Sequence, residues 1–310
     1  MLSLVYDLRV LPASFDLANF IAVARARSID FGFKDHKIKP IFIMGDAKTI
    51  YFNENHQEDA IRKRLERILL PLTSLFEFLE NPIVIEKSDV NLAKYLINKF
   101  GIIMPKNYNI ENPKRFTYFK NSMYLQKSKR HDLRYIVNSK SELDKTAQLI
   151  KSKCGVENPI VIVERANQQS HDLSRDTSLD YLKELAYLLA KIKPVIFLPD
   201  FMSSSYMSME NIYTFGQAGY DLRLRSALYE LASISIQPPG AGSSLAYLNP
   251  KSVYIHNGVA SGNYFDEEWF IKNGFTKDYN DYSPNNPKQV WKWSQLSPIE
   301  LNKLVKSMLD

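Results

Sequence analysis

Short apolar runs rich in β-branched residues recur along this chain, each followed by a segment with helical spacing. That alternation constrains the fold more than any other feature. LSLVYDL (Leu2–Leu8), KPIFIMG (Lys39–Gly45), NPIVIEK (Asn81–Lys87), NPIVIVER (Asn158–Arg165), KPVIFLPD (Lys193–Asp200), ISIQPP (Ile234–Pro239) and KSVYIH (Lys251–His256) read as buried strands. Between them, helical spacing covers Phe15–Ile29, Asp59–Leu79 with Pro71 as a kink or break, Ser88–Lys99 with Gly101 as its stop, and Ser141–Cys154. It returns in Thr177–Ile192, with Thr177 and Asp180 in a capping-box arrangement, in Asp221–Ser233 with Asp221 as N-cap, and in Ser297–Leu309. Met209–Gly219 reads as a connection and the tail from Asn257 as aromatic and loop-rich. Strands separated by helices imply right-handed βαβ units and parallel sheets. The irregular stretch Ile102–Tyr118 falls between two such series. The expected class is therefore α/β, with two doubly wound Rossmann-like domains facing a cleft, residues 1–150 and 151–310.

Bulk properties narrow the function. A chain of 310 residues that is 45% hydrophobic and 24% charged buries a large core. The single cysteine, Cys154, excludes an intramolecular disulfide and fits a reducing compartment. No run approaches the roughly 20 apolar residues of a membrane span. The N-terminus lacks a basic region, and Asp7 and Arg9 interrupt its apolar run, so it does not read as a signal peptide. Cytoplasmic is the expected location. A net charge of +6 favours anionic partners, with basic stretches at Arg62–Leu70 and Lys127–Tyr135. These suit an anionic membrane face or an acidic glycan, and peripheral membrane contact is one expectation. Basic and aromatic residues mix from Arg115 to Tyr135 without matching a nucleic-acid module, so nucleic acid is not expected as a partner.

In open parallel sheets ligands bind beyond the carboxyl ends of the strands, which makes the loops after strands the place to look. Four are rich in polar residues: Asp7–Asp16, Glu164–Asp176, Pro199–Ser208 and Pro238–Ser244. The last, PPGAGSS, either turns a corner or cradles an anion. In the second case Gly240 and Gly242 let backbone N–H groups approach, with Ser243 and Ser244 as further donors. On the helix before it, Asp221 and Arg225 are spaced as an ion pair, while Arg223 and Glu230 share a face. Arginine grips a diphosphate through paired N–H donors, and a carboxylate accepts from ribose hydroxyls. The same residues also fit a surface ion pair over a core face of leucines.

From Ile160 to Ile255 the order of motifs resembles the C-terminal half of a GT-B-fold glycosyltransferase. A strand ends in Arg165, then come a polar loop, a helix, VIFLPD, the helix DLRLRSALYELAS and a Gly-rich turn before a helix. The layout is similar to the fucosyltransferase- and heptosyltransferase-like branches, although the first loop, RVLPASFD, departs from the glycine-rich loop of heptosyltransferases. The resemblance implies a nucleotide-sugar donor as substrate and no other cofactor. It places Arg165 and Arg225 on the phosphates, Glu230 on the ribose and Gly240–Ser244 at a phosphate-binding helix start. It also implies a glycan or lipid-linked acceptor, with transfer serving surface polysaccharide synthesis. Such transfer needs neutralisation of the departing diphosphate and a base for the acceptor hydroxyl. The candidate bases are Asp16, then Asp7 and His171; Arg9, Ser14 and Arg223 are candidate substrate contacts. GT-B enzymes generally work without a bound metal, and no Asp-x-Asp or His/Cys cluster stands in the sequence. The alternatives are a nucleotide-sugar epimerase or hydrolase on the same fold, or a non-catalytic nucleotide- or glycan-binding module.

Overall fold

The computed structural model describes residues 2–45, 58–114, 131–166, 176–200, 203–260, 266–278 and 286–310. The basic, aromatic segment Arg115–Arg130 and the candidate base His171 lie outside the described residues. The chain forms two compact units, Met1–Val137 and Asn138–Asp310, each with its own parallel sheet.

In the first unit β1 (Leu2–Asp7) is followed by α1 (Asp16–Asp30) and β2 (Ile38–Ile43). All six residues of β1 are buried, as expected of a parallel strand covered on both faces. A helical run follows: α2 (Glu58–Arg64), a π turn (Leu65–Leu69) and α3 (Leu70–Thr73). Pro71 cannot donate a helical hydrogen bond, and its ring crowds the carbonyl one turn back. The chain absorbs this by widening the preceding turn rather than by breaking, and Leu70 N–H donates to Leu65 O. Next come β3 (Ile83–Ile85), α4 (Val90–Lys99) and β4 (Gly101–Met104). Gly101 was expected to stop the helix. Instead Phe100 is already extended and Gly101 opens β4, which pairs with β1. The sheet runs β3-β2-β1-β4, all parallel.

The second unit begins with α5 (Lys140–Cys154), closed at its start by a capping box between Ser139 and Glu142 and at its end by Gly155 in the left-handed region. A boundary at residue 150 would fall inside this helix. There follow β5 (Ile160–Val163), α6 (Leu179–Ala190), β6 (Val195–Leu198), β7 (Ile212–Thr214), α7 (Leu222–Leu231) and β8 (Ile234–Gln237). The chain then makes the single turn α8 (Ser244–Tyr247), β9 (Tyr254–Asn257), α9 (Glu267–Lys272), β10 (Gln289–Lys292) and α10 (Pro298–Leu309). The expected capping box of α6 does not form. Ser178 holds the N-cap place without a side-chain bond, and Thr177 instead donates its N–H to Arg165 O, tying the helix start to the strand-end loop. Asp221 does cap α7, accepting from the N–H groups of Arg223 and Leu224. That use of its carboxylate replaces the expected pairing with Arg225.

The strand order is β10-β9-β8-β5-β6-β7, again all parallel. β7 and β10 differ from the connection and the loop-rich tail that the sequence pattern presents at these places. Numbered from β5, this is the 3-2-1-4-5-6 order of a Rossmann sheet. Ile160, Ile162, Val195, Phe197, Ile234 and Ile236 present one face, and Leu182, Leu185 and Leu189 of α6 cover it with Leu301 and Val305 of α10. Each such leucine contributes roughly 1.5–3 kcal/mol through burial, which is what clamps both helices to the sheet.

Candidate functional site

Both sheets reverse direction once. In the second unit β5 leads away to β6 and β7, whereas β8 leads the other way to β9 and β10, so the loops after β5 and β8 splay apart at their shared carboxyl ends. Ligands of open α/β sheets bind in that crevice. Arg165, two residues beyond β5, reaches across it. Its Nη1 donates to Pro239 O and its Nε lies 3.4 Å from the Asp176 carboxylate. The guanidinium lies against Gly240, whose absent Cβ would stand 3.5 Å from Nη1. Gly240 has a φ of +157°, a conformation L side chains rarely adopt.

Around Arg165 the strand ends are laced together. Glu164 accepts from Asp200 N–H at 3.1 Å and from Ser205 Oγ at 2.5 Å. Asp200 in turn accepts from Ala166 N–H at 3.0 Å, so the loops after β5 and β6 hold each other. Arg225 comes up from α7 beneath them, only 3% exposed, with Nε on the Tyr229 hydroxyl at 2.8 Å and Nη2 3.5 Å from Pro199 O. Burial works against its charge, but Tyr229, Asp200 and Glu164 together raise its pKa above the ordinary value, so the cation persists.

The serines of the Gly-rich turn point inward. Ser243 Oγ donates to Gly240 O and lies 3.3 Å from His256 Nε2, and Ser244 is fully buried. Gly242 is half-buried beside them. His256 packs edge-on to Trp291, with ring centroids 5.1 Å apart, and burial pushes its pKa down to about 3, which keeps it neutral. The remaining candidates of this unit are not brought to the crevice. Arg223 is exposed and pairs with Glu142 at 3.4 Å. Glu230 stands at the last turn of α7, near the start of β8, held by Asn138 at 2.7 Å, Asn249 at 3.1 Å and Lys251 at 3.2 Å.

The first unit has its own switch point, between β1 and β4. Asp7 ends β1 at 1% exposure and binds Arg9 Nε (2.9 Å), Arg9 Nη2 (2.7 Å) and the Tyr108 hydroxyl (2.6 Å). Asp16 occupies the first turn of α1, where the helix dipole favours a carboxylate, and it is half-buried. Phe15, not Asp16, holds the N-cap place; Ser14 Oγ donates to Asp16 Oδ2 at 2.8 Å. Arg64 Nε donates to Ala13 O, bringing a further cation to this loop. Tyr108 carried no sequence signal, because the fourth strand that places it was not recognised. Among the described residues no group of three or more His, Cys, Asp or Glu side chains could hold a metal ion.

No protein-family model matches the sequence, and no curated protein does. Among solved structures, the E. coli ADP-heptose lipopolysaccharide heptosyltransferase II superposes with a TM-score of 0.52 at 8% identity, covering 100% of this chain and 98% of that one. E. coli heptosyltransferase WaaC with ADP gives 0.44 at 10% identity, over 99% and 97%. The iron-containing dodecameric glycosyltransferase TibC from enterotoxigenic E. coli gives 0.45 at 12% identity, over 99% and 75%. The first of these likenesses places the chain in the fold of heptosyltransferase II.

Proposed function

We propose that the protein is a glycosyltransferase that moves a sugar from a nucleotide-sugar donor to a glycan or lipid-linked acceptor in surface polysaccharide synthesis. The observation that carries this reading is Arg165, which spans the switch point of a Rossmann-ordered sheet and lies against Gly240 of the Gly-rich turn. The fold shared with heptosyltransferase II supports it. Arg165 contacts the donor diphosphate together with backbone N–H groups of Gly240 and Gly242, and its charge offsets the negative charge that grows on the leaving group. Arg225 adds its positive charge below, in the field of Glu164 and Asp200. Asp16, the first of the candidates the sequence offers, is the base that takes the acceptor hydroxyl proton. Neutralisation by arginine makes the reaction metal-independent and of the Leloir type. The site of action is cytoplasmic, at the inner membrane face; no described helix is long and apolar enough to cross a membrane.

The deciding experiment is a thermal-shift screen with UDP, GDP, ADP, CMP and their sugar conjugates, with Mg²⁺ or with EDTA. A donor at a hundredfold excess over its dissociation constant stabilises the native state by about 2.7 kcal/mol. The expected result is a shift with one nucleotide, equal in Mg²⁺ and EDTA and lost in Arg165→Ala. A flat response to all of them removes the donor reading, and a shift that needs Mg²⁺ removes the metal-independent one.

A further inference from the structure

We propose that Asp7, Arg9 and Tyr108 form a buried lock that positions the loop carrying Asp16, so that Asp7 is a positioning residue and not the base. The proposal rests on the assignment of Asp16 made above.

The lock closes across the switch point of the first sheet. Arg9 folds back on Asp7 with its backbone N–H at 3.0 Å as well as its side chain, and Arg9 Nη2 continues to Ile110 O at 3.0 Å, beyond β4. Tyr108 reaches the same carboxylate from beyond β4. Burial pushes the Tyr108 phenol pKa well up, so the hydroxyl remains a donor. Both oxygens of Asp7 are therefore occupied, by a cation, a backbone amide and a phenol, in a side chain 1% exposed. A base needs a lone pair within reach of the acceptor hydroxyl. Asp7 has none to offer while the lock is closed.

Gly45 supplies an independent sign that the place of Arg9 is built in. A Cβ on Gly45 would collide with Arg9 Cγ, so the arginine stem lies directly on the chain two residues beyond β2 and only glycine leaves room. From the lock to Asp16 the chain is fixed step by step. The N–H groups of Val10 and Leu11 donate to Asp7 O at 3.1 and 2.8 Å, the Tyr6 hydroxyl to Pro12 O at 2.7 Å, and Ser14 Oγ to Asp16 at 2.8 Å. Arg165 makes the same kind of crossing in the second sheet, to Pro239 O. Each unit thus secures its first strand-end loop with an arginine that reaches past the fourth strand.

The test reads the lock with and without turnover. Hydrogen exchange of the Val10–Leu17 amides is measured on the full chain without ligand, for the wild type, Tyr108→Phe, Gly45→Ala and Asp7→Asn. Steady-state kinetics against pH follow on the same proteins. Expected are exchange about tenfold faster or more in all three variants and kcat down about 10- to 100-fold with donor KM within about twofold. Asp7→Asn is expected to keep the acidic limb of the kcat/KM profile. Should Gly45→Ala fail to fold, Tyr108→Phe removes one oxygen atom and reads the same lock. Unchanged exchange in Tyr108→Phe, or loss of the acidic limb in Asp7→Asn, overturns the proposal. A wild type without turnover counts against the transferase reading alone, because exchange still decides whether the lock exists.

Discussion

Arg223 and Arg225 stand on the same helix and do opposite things. Arg223 is half exposed, and an exposed pair such as the one it makes with Glu142 contributes at most about 1 kcal/mol. Arg225 is buried in the field of Asp200 and Glu164 and donates to the Tyr229 hydroxyl. Removing it takes that partner from a buried hydroxyl. Arg225→Met is therefore expected to destabilise the protein by about 1–3 kcal/mol in urea unfolding, and Arg223→Ala by no more than about 0.5 kcal/mol. Similar small losses in both would show that the buried bond contributes little. His256 makes a pH-dependent contribution of known sign. Its pKa falls from 6.5 to about 3 on folding, so the unfolded chain takes up a proton that the native state refuses. Stability is unaffected by this group above about pH 6.5 and falls as pH drops towards 3, by about 1.4 kcal/mol per unit. His256→Phe should flatten that part of the stability curve between pH 4 and 6.

Helix ends separate local signals that act from those that do not. Asp221 bonds two N–H groups of α7, whereas no side chain caps α6. Asp221→Ala should lower stability by about 1 kcal/mol, while Thr177→Ala stays within about 0.5 kcal/mol by thermal or urea unfolding. Equal losses would mean that the start of α6 depends on Thr177 after all. The two readings differ in the sequence only by what surrounds them. Asp221 precedes a helix free to start there, but the backbone of Thr177 is already engaged with Arg165. At Pro71 the local rule held in substance and missed in form. The proline does disturb the helix, yet the packing of Leu65, Ile68, Leu69 and Leu72 keeps the segment continuous through a widened turn.

On the scale of the whole molecule, the two units carry separate cores and separate parallel sheets. The residues proposed for the donor, Arg165, Gly240 and Gly242, all belong to Asn138–Asp310. That fragment is expected to melt cooperatively on its own and to bind the nucleotide with a Kd within about tenfold of the full chain by calorimetry, a difference of about 1.4 kcal/mol. A fragment that folds but no longer binds would place part of the donor site in Met1–Val137.

The amino-acid sequence alone determined the α/β class, because strand and helix periodicities are properties of neighbouring residues. LSLVYD, IVIV, VIFL and ISIQ declare themselves as buried strands wherever they sit. It also pointed to the loops after strands as the ligand side, and to Arg165 and the Gly-rich turn within them. GIIM, IYT and QVWK did not stand out, since GIIM runs into a Pro- and Asn-rich stretch, IYT is three residues long and QVWK is half polar; they are strands because a neighbouring strand offers them a partner. Only the tertiary structure decided which strands adjoin, and with that everything that depends on adjacency. It set Arg165 against Gly240 and Tyr108 against Asp7, turned Ser243 inward to His256, and kept Glu230 near the start of β8. Such contacts join residues far apart in the chain. Their geometry follows from the order of the strands, which no local spacing records.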